Sequence, residues 1–459
     1  MADVIDSTLM QGNFSTPEVR AVWSDKNKLS QQLKVERTLS EVQGQQGIIP
    51  QQAADDIVKV AKIDNFDIKQ LSQQAAQQRH TLMPLVNHLA QLAGPKSGEY
   101  VHYGVTTQDI VDTGIMLQLV SAYRIIVDDG VKLIQALTPL VKKYASTPMI
   151  GRTHGIQAVP ITFGFKAATW LSELLRDQQR IEKLADSGAF VGSISGAVGT
   201  YSAWGQNGPK IEKAVLEKLH LGVPDISWQS SRDRFSEIVS DLAIYSGTLG
   251  KIGQELFNLM RTEIDEVEEP FKKGEIGSTT MPQKRNPALI EGLASLTQPV
   301  FKDAGLILES MLFNNERDAI HWRNEWVVLP EVTNYLDAQI RNATFILTNL
   351  TVKPDQMQKN LQLQGDLVYS ERIMFELSKQ IGKQTAHKVV YESAMQAYEQ
   401  NKNFIQLLAN HQLLKGKVSE AQLQKWANLT DVVQEATTKA QLVADKADDY
   451  LKKRKEVFQ

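Results

Sequence analysis

Cysteine is absent from this 459-residue chain. That excludes disulfides, thiolate metal sites and a cysteine nucleophile, and it fits a reducing compartment. Charge of one sign is not in excess either: 50 basic and 53 acidic side chains leave a net charge of -3. No broad nucleic-acid surface follows from such a balance. The sequence shows no apolar run approaching the roughly 20 residues of a membrane span. The opening MADVIDSTLMQGNF carries two aspartates and no apolar core, unlike a secretory signal. The expectation is a cytosolic protein without membrane or nucleic-acid partners. Hydrophobic residues at 42% and charged residues at 22% are ordinary for a globular chain. The length suffices for two to four domains and a large core.

Proline is scarce too, at 15 residues, and none falls between Asp225 and Glu269. Within that window Phe235, Ile238, Leu242, Tyr245, Leu249, Ile252, Leu256 and Leu259 recur at alternating steps of three and four. This spacing predicts one long helix with a heptad-like seam, drawn from Arg232 to Glu268. At 1.5 Å per residue it would run roughly 55 Å, and its seam needs equally long partners. Gly247, Gly250 and Gly253 lie three apart on it and suit close helix contact. Further helices are expected over Thr113 to Tyr144, Ile161 to Asp186, Pro287 to Asn314 and Leu329 to Leu350. The fold class is therefore all-α, with five long helices forming a central bundle. Shorter helices are expected before about Asp112 and after about Gly365. The tail from Ser370 reads as several amphipathic turns ending in LKKRKEVFQ. No alternating strand pattern and no internal repeat is found.

Four stretches break the helical pattern: EYVHYGVTTQD, TPMIGRTHGIQAVP, SISGAVGTYSAWGQNGP and GSTTMPQKRNP. Loops of this kind carry function more often than the elements they join. Of eight histidines, His88, His220, His387 and His411 sit in amphipathic patterns and read as ordinary packing or surface residues. His80, His102 and His321 have polar neighbours. His154, in GRTHGIQ, is the best candidate acid, since imidazole titrates near neutrality. A loop histidine that only bonds backbone is the competing reading. In GSTTMPQKRNP, Lys284 and Arg285 carry charge, Asn286 offers amide donors, and Ser278, Thr279 and Thr280 offer hydroxyls. Gly274 and Gly277 supply freedom, so the loop suits a lid over a small polycarboxylate. It is not a P-loop, because the order of glycine and lysine is wrong. GAVGT lacks the third glycine of a dinucleotide fingerprint and no strand precedes it. No metal spacing, no GxSxG and no cofactor motif is present.

GSTTMPQKRNP resembles the GSSxMPxKxNP signature of the fumarase/aspartase superfamily. GVTTQDIVDT and GRTHGIQAVPITFG resemble two further regions of it. SISGAVGTYSA and LMRTEIDEVEEPF look like adenylosuccinate lyase, whereas SWQSSRDRFSEIVSDLA, WRNEWVVLPE and GKQTAHKVV look like 3-carboxy-cis,cis-muconate cycloisomerase. The resemblance runs from about Phe14 to about Tyr398. It implies a three-domain helical subunit, here divided 1–112, 113–364 and 365–459. It implies a homotetramer with a twenty-helix core, each active site drawing on three subunits. It also implies β-elimination beside a carboxylate, with fumarate released, no cofactor and no metal. By the same resemblance Ser278 is the base, Lys284 and Asn286 face the developing charge, and His154 protonates the leaving group. Glu291 orients His154, and His80 is a second active-site histidine. Thr106, Thr107 and Gln108 bind substrate carboxylate, with Met281, Arg20 and Arg317 as further contacts; Trp322 and Arg323 are candidate contacts where the sequence departs from the family.

The sequence departs from the adenylosuccinate lyases where they hold nucleotide phosphate. Their Arg-Tyr pair is replaced by Asn13 and Phe14. Their ERDxSHSSxERxxLP frame reads ERDAIHWRNEWVVLP, with Trp322 for serine and Trp326 for arginine. Charge-assisted phosphate contacts, each worth roughly 1.5–3 kcal/mol, are lost there. Arg323 is a new cation, and an indole pair suits an apolar or aromatic ligand; packing at a domain junction is the plainer role. His154, His80 and Glu291 also set the chain apart from bacterial cycloisomerases of this group, which lack the histidine of the second region. The expectation is fumarate elimination from a succinyl adduct other than adenylosuccinate. The alternatives are a carboxymuconate-type cycloisomerase, adenylosuccinate lyase itself, and an inactive structural homologue.

Overall fold

A computed structural model describes residues 4–457 other than Lys273, with side chains described to Arg454. Residues 1–3 of the opening segment and 458–459 of the charged tail lie outside the described residues. The chain divides into two compact units. The first comprises 1–130, 177–249 and 295–341; the second comprises 131–176, 250–294 and 342–459.

Long helices dominate, as the spacing predicts: Thr107–Lys143, Phe163–Asp186, Asp233–Met260 and Ala319–Asn349. All eight apolar residues of the seam are buried, none more than 1% exposed. Their helix is shorter than expected. It stops at Met260, giving 28 residues and a length of about 42 Å. Asp265 then turns into the left-handed region at φ 49°, and Val267–Glu268 pairs with Thr351–Val352. The glycine expectation holds at Gly253, where a Cβ would lie 2.8 Å from the Ala294 backbone nitrogen.

Three other boundaries differ from expectation. The helix expected from Pro287 to Asn314 is two helices, Ala288–Ser295 and Thr297–Glu309. The helix expected from Leu329 begins ten residues earlier, at Ala319, because Asp318 accepts the Ile320 amide at 2.6 Å and starts it. The expected terminal turns are partly a single helix, Leu429–Val457. Within the second unit, Ile373, Leu377, Val389, Phe404, Leu408 and Leu423 form a separate buried cluster under the shorter helices.

The absence of strand pattern is corrected at GRTHGIQAVP. Pro148–Thr153 and Ile156–Thr162 form an antiparallel hairpin. Among the described residues one helix, Thr107–Lys143, is long and apolar enough by length and composition to cross a bilayer. Its apolar window is 72% buried within the fold, the pattern of a core helix.

Candidate active site

In the first unit, Thr106–Asp109 starts the Thr107–Lys143 helix. Asp109 reaches back to accept the Thr106 amide at 3.0 Å, the reciprocal half of a capping box. The same carboxylate accepts from the Ser193 hydroxyl, the Ser195 and Gly196 amides and the Gln229 side chain. Asp109 thus ties the TTQD and SISGAVG stretches together. Burial raises its pKa against the pull of these donors. Thr106 and Thr107 remain partly exposed at the positive end of a 37-residue helix, a position that favours an anion. Gln108 does not share that exposure. It is fully buried, and its amide donates to Asp112 (3.1 Å) and to the Gln229 carbonyl (2.8 Å). Its amide N–H groups support the helix start, while its Oε1 is buried without a hydrogen-bond partner.

His80 stands beside Thr107, with Nε2 3.4 Å from the Thr107 hydroxyl. Its Nδ1 accepts the Leu82 and Met83 amides at 3.3 and 3.1 Å. An accepting Nδ1 places the proton of the neutral ring on Nε2, so His80 presents a donor.

Beneath this lies a buried ion network that sequence reading missed. Arg232 is bonded to Asp112 and Glu325, all three side chains fully buried. Its guanidinium lies over Trp228, Phe235 and Phe313 at 4.8, 5.2 and 5.6 Å. Burial pushes Glu325 up to about 7; the attraction of Arg232, shared with Asp112, does not reverse this. Trp322 belongs to the same network. It is 8% exposed, donates Nε1–H to Asp112 at 2.8 Å and packs edge-on to Trp326 at 5.1 Å. Within the chain its N–H is spent on Asp112 and its ring on Trp326. The one sequence signal was Asp109 and Asp112 set three apart around the apolar pair Ile110 and Val111. His102, noted in the sequence only for its polar neighbours, has its Nδ1 2.6 Å from buried Glu36. Burial opposes its charge, yet Glu36 and Asp109 raise its pKa overall. Arg20 donates to Ser15 at 2.7 Å, Arg317 donates to the Ala197 carbonyl, and Arg323 is exposed.

In the second unit, His154 sits at the exposed tip of the hairpin. His154 and Gly155 form its two-residue turn, at φ 53° and 79°, as a type I′ turn requires. The strand before it is anchored by Arg152, which grips buried Glu266 through two bonds of 3.0 and 2.9 Å. Asn360 holds the same carboxylate at 2.9 Å.

The Ser278 loop closes on itself. A Cβ on Gly277 would meet the Lys284 carbonyl at 2.5 Å, so only glycine fits. Ser278 Oγ accepts from the Met281 amide at 3.1 Å and the Thr280 amide at 3.4 Å. Lys284 and Met281 are exposed and Asn286 is partly so. Arg285 is occupied by Glu268 at 2.7 Å and the Phe271 ring at 4.7 Å. Glu291 lies exposed in the first turn of Ala288–Ser295. Among the described residues no hydrogen bond or ion pair joins Glu291 to His154 within the chain. Nor does any cluster there have the makings of a metal site.

Residues 10–301 match the lyase family, and residues 366–443 match the adenylosuccinate lyase C-terminus. The N-acetyl-S-(2-succino)cysteine lyase of Dickeya dadantii (strain 3937) is 50% identical over 97% of this chain and 98% of its own. The enzyme of that name from Enterococcus italicus is 48% identical over 98% of this chain and 96% of its own. The crystal structure of 3-carboxy-cis,cis-muconate lactonizing enzyme from Pseudomonas putida superposes with a TM-score of 0.88 at 28% identity. That match covers 97% of this chain and 100% of the other.

Proposed function

Since this chain belongs to the fumarase/aspartase superfamily, as a fumarate-forming lyase of the adenylosuccinate lyase-like kind, we propose that its substrate is an S-(2-succinyl) thioether of a small thiol, of the N-acetyl-S-(2-succino)cysteine class. The observation that carries this reading is Trp322. Where a nucleotide-cleaving site needs a hydroxyl for phosphate, this chain has a buried indole bonded to the carboxylate of Asp112. A compact thiol adduct needs no such phosphate contact.

In this proposal each of the groups described has one part in the elimination. Ser278 Oγ removes a proton from the carbon beside one carboxylate. Its two backbone donors stabilise the alkoxide that this requires. The electrons move into that carboxyl group as an aci-carboxylate, faced by Lys284 and Asn286. The C–S bond then breaks to give fumarate and a thiolate. Thr106 and Thr107, at the helix N-terminus, hold the second carboxylate, with His80 Nε2–H as a further donor. His154 protonates the leaving group. A thiol of pKa ~8.5 leaves readily as its anion, so this step demands less of the acid than release of an amine does.

The site is composite in this proposal, with Glu291 meeting His154 of another subunit in a homotetramer. Supporting this are large apolar side chains left exposed on long helices, among them Ile244 at 49%, Phe257 at 40% and Val327 at 46%, the kind of surface that association covers. The three-domain division at 112 and 364 and a cytosolic location belong to the same reading. Its test is fumarate absorbance after mixing with S-, N- and O-succinyl compounds. The S-succinyl adduct of N-acetylcysteine should turn over fastest. Efficient cleavage of adenylosuccinate, or lactone formation from carboxymuconate without fumarate release, would overturn it.

A further inference from the structure

The run from Glu266 to Glu269 holds several parts of the second unit at once. Glu266 grips Arg152 in the strand that leads to His154. Glu268 accepts from Arg285 at 2.7 Å, and the same guanidinium lies 4.7 Å from the Phe271 ring centroid. Lys353, 3.4 Å from the other Glu268 oxygen, steadies that carboxylate, and the pairing with Thr351–Val352 fixes its backbone. Glu269 is 5% exposed. It accepts the Ile290 amide at 3.0 Å and the Leu289 amide at 3.4 Å, two of the orphan donors at the start of Ala288–Ser295. Burial raises its pKa against the pull of those amides.

Adjacent carboxylates thus hold the chain on both sides of Asn286: immediately before it, at Arg285, and within the first helical turn after it. The Asn286 side chain is partly exposed and makes no hydrogen bond among the described residues. An amide left unspent between two anchored neighbours has its direction set by the backbone, as preorganised charge stabilisation requires. We propose that Glu268 and Glu269 are positioning residues that together aim Asn286 at the carboxyl group where charge develops. The proposal rests on the elimination reading above, in which Asn286 faces that charge. Neither carboxylate touches the substrate; each acts through the backbone on its own side of Asn286.

The test is a double-mutant cycle in the full-length protein, with fumarate release from N-acetyl-S-(2-succino)cysteine as the assay. Glu269→Gln should lower kcat about tenfold, as loss of one charge-assisted contact predicts. KM should change little, because Asn286 acts in the transition state. Arg285→Met, which empties the more exposed clasp on Glu268, should lower kcat about threefold, and Arg285→Lys should recover most of that. In an Asn286→Ala background, Glu269→Gln and Arg285→Met should each cost less than about twofold further, since the residue they aim is gone. Hydrogen exchange of a peptide spanning 284–292 should quicken by the same factors in the two single variants. Losses that multiply with that of Asn286→Ala, or exchange left unchanged by Glu269→Gln, overturn the positioning role. Absence of fumarate from S-, N- and O-succinyl compounds alike overturns the elimination reading instead, while exchange still decides whether the two carboxylates hold the segment.

Discussion

Replacing Arg232 with methionine would strand two buried carboxylates. Asp112 and Glu325 have no exposed side-chain surface, and Arg232 supplies the positive charge bonded to both. Methionine fills much of the volume between Trp228, Phe235 and Phe313 but leaves the negative charges facing each other. Breaking a buried pair in this way costs about 3–5 kcal/mol. Asp112 also accepts from Gln108 and Trp322, so the damage should reach the helix start that carries Thr106 and Thr107. Urea unfolding at fixed subunit concentration measures the loss. The combined variant Asp112→Asn, Arg232→Met, Glu325→Gln removes the charges together and should recover more than half of it. A loss under about 1 kcal/mol in Arg232→Met, or a combined variant worse than the single one, would refute the account of this network.

Other consequences are equally direct. Glu325 is pushed from 4.5 up to about 7, so between those values the folded chain holds a proton that the unfolded chain releases. Stability should therefore fall as pH rises through that window. Glu325→Gln should flatten the slope without abolishing it, since Asp337 is raised from 3.8 to about 7 with the same sign. Gly277→Ala should lower kcat at least tenfold with little change in the unfolding midpoint, because its Cβ meets the Lys284 carbonyl and spoils only the loop. Glu266→Gln should loosen the His154 hairpin by weakening the Arg152 grip. The expected cost is about 1–3 kcal/mol in kcat/KM for an amine leaving group, and less for a thiol, which needs the acid less.

The seam from Phe235 to Leu259 was legible because one heptad-like period persisted across a proline-free window, and every member of it is buried. The Ser278 loop was legible for the opposite reason: its residue types suit no helix. The His154 hairpin was not, because its strands alternate too briefly and its two-residue turn puts histidine where asparagine is the usual signal. Helix ends at Met260 and Ala319 depend on the left-handed turn at Asp265 and the cap from Asp318, which periodicity does not register. The ion network was hidden most deeply. Asp112 and Glu325 come from separate helices and Arg232 from the residue before a third, and a charged residue beside an apolar stripe reads as an exposed position until its partners are placed. The same distance in sequence hid the bond from Trp322 to Asp112.

The central claim is that Ser278 abstracts a proton in an elimination yielding fumarate and a thiol. The direct measurement is the initial rate of fumarate release from N-acetyl-S-(2-succino)cysteine by the wild type and by Ser278→Ala, with appearance of free thiol followed in parallel. The account predicts equal amounts of fumarate and thiol from the wild type, and a loss of at least about 10³-fold in the variant. Wild-type turnover that Ser278→Ala leaves unchanged would contradict it.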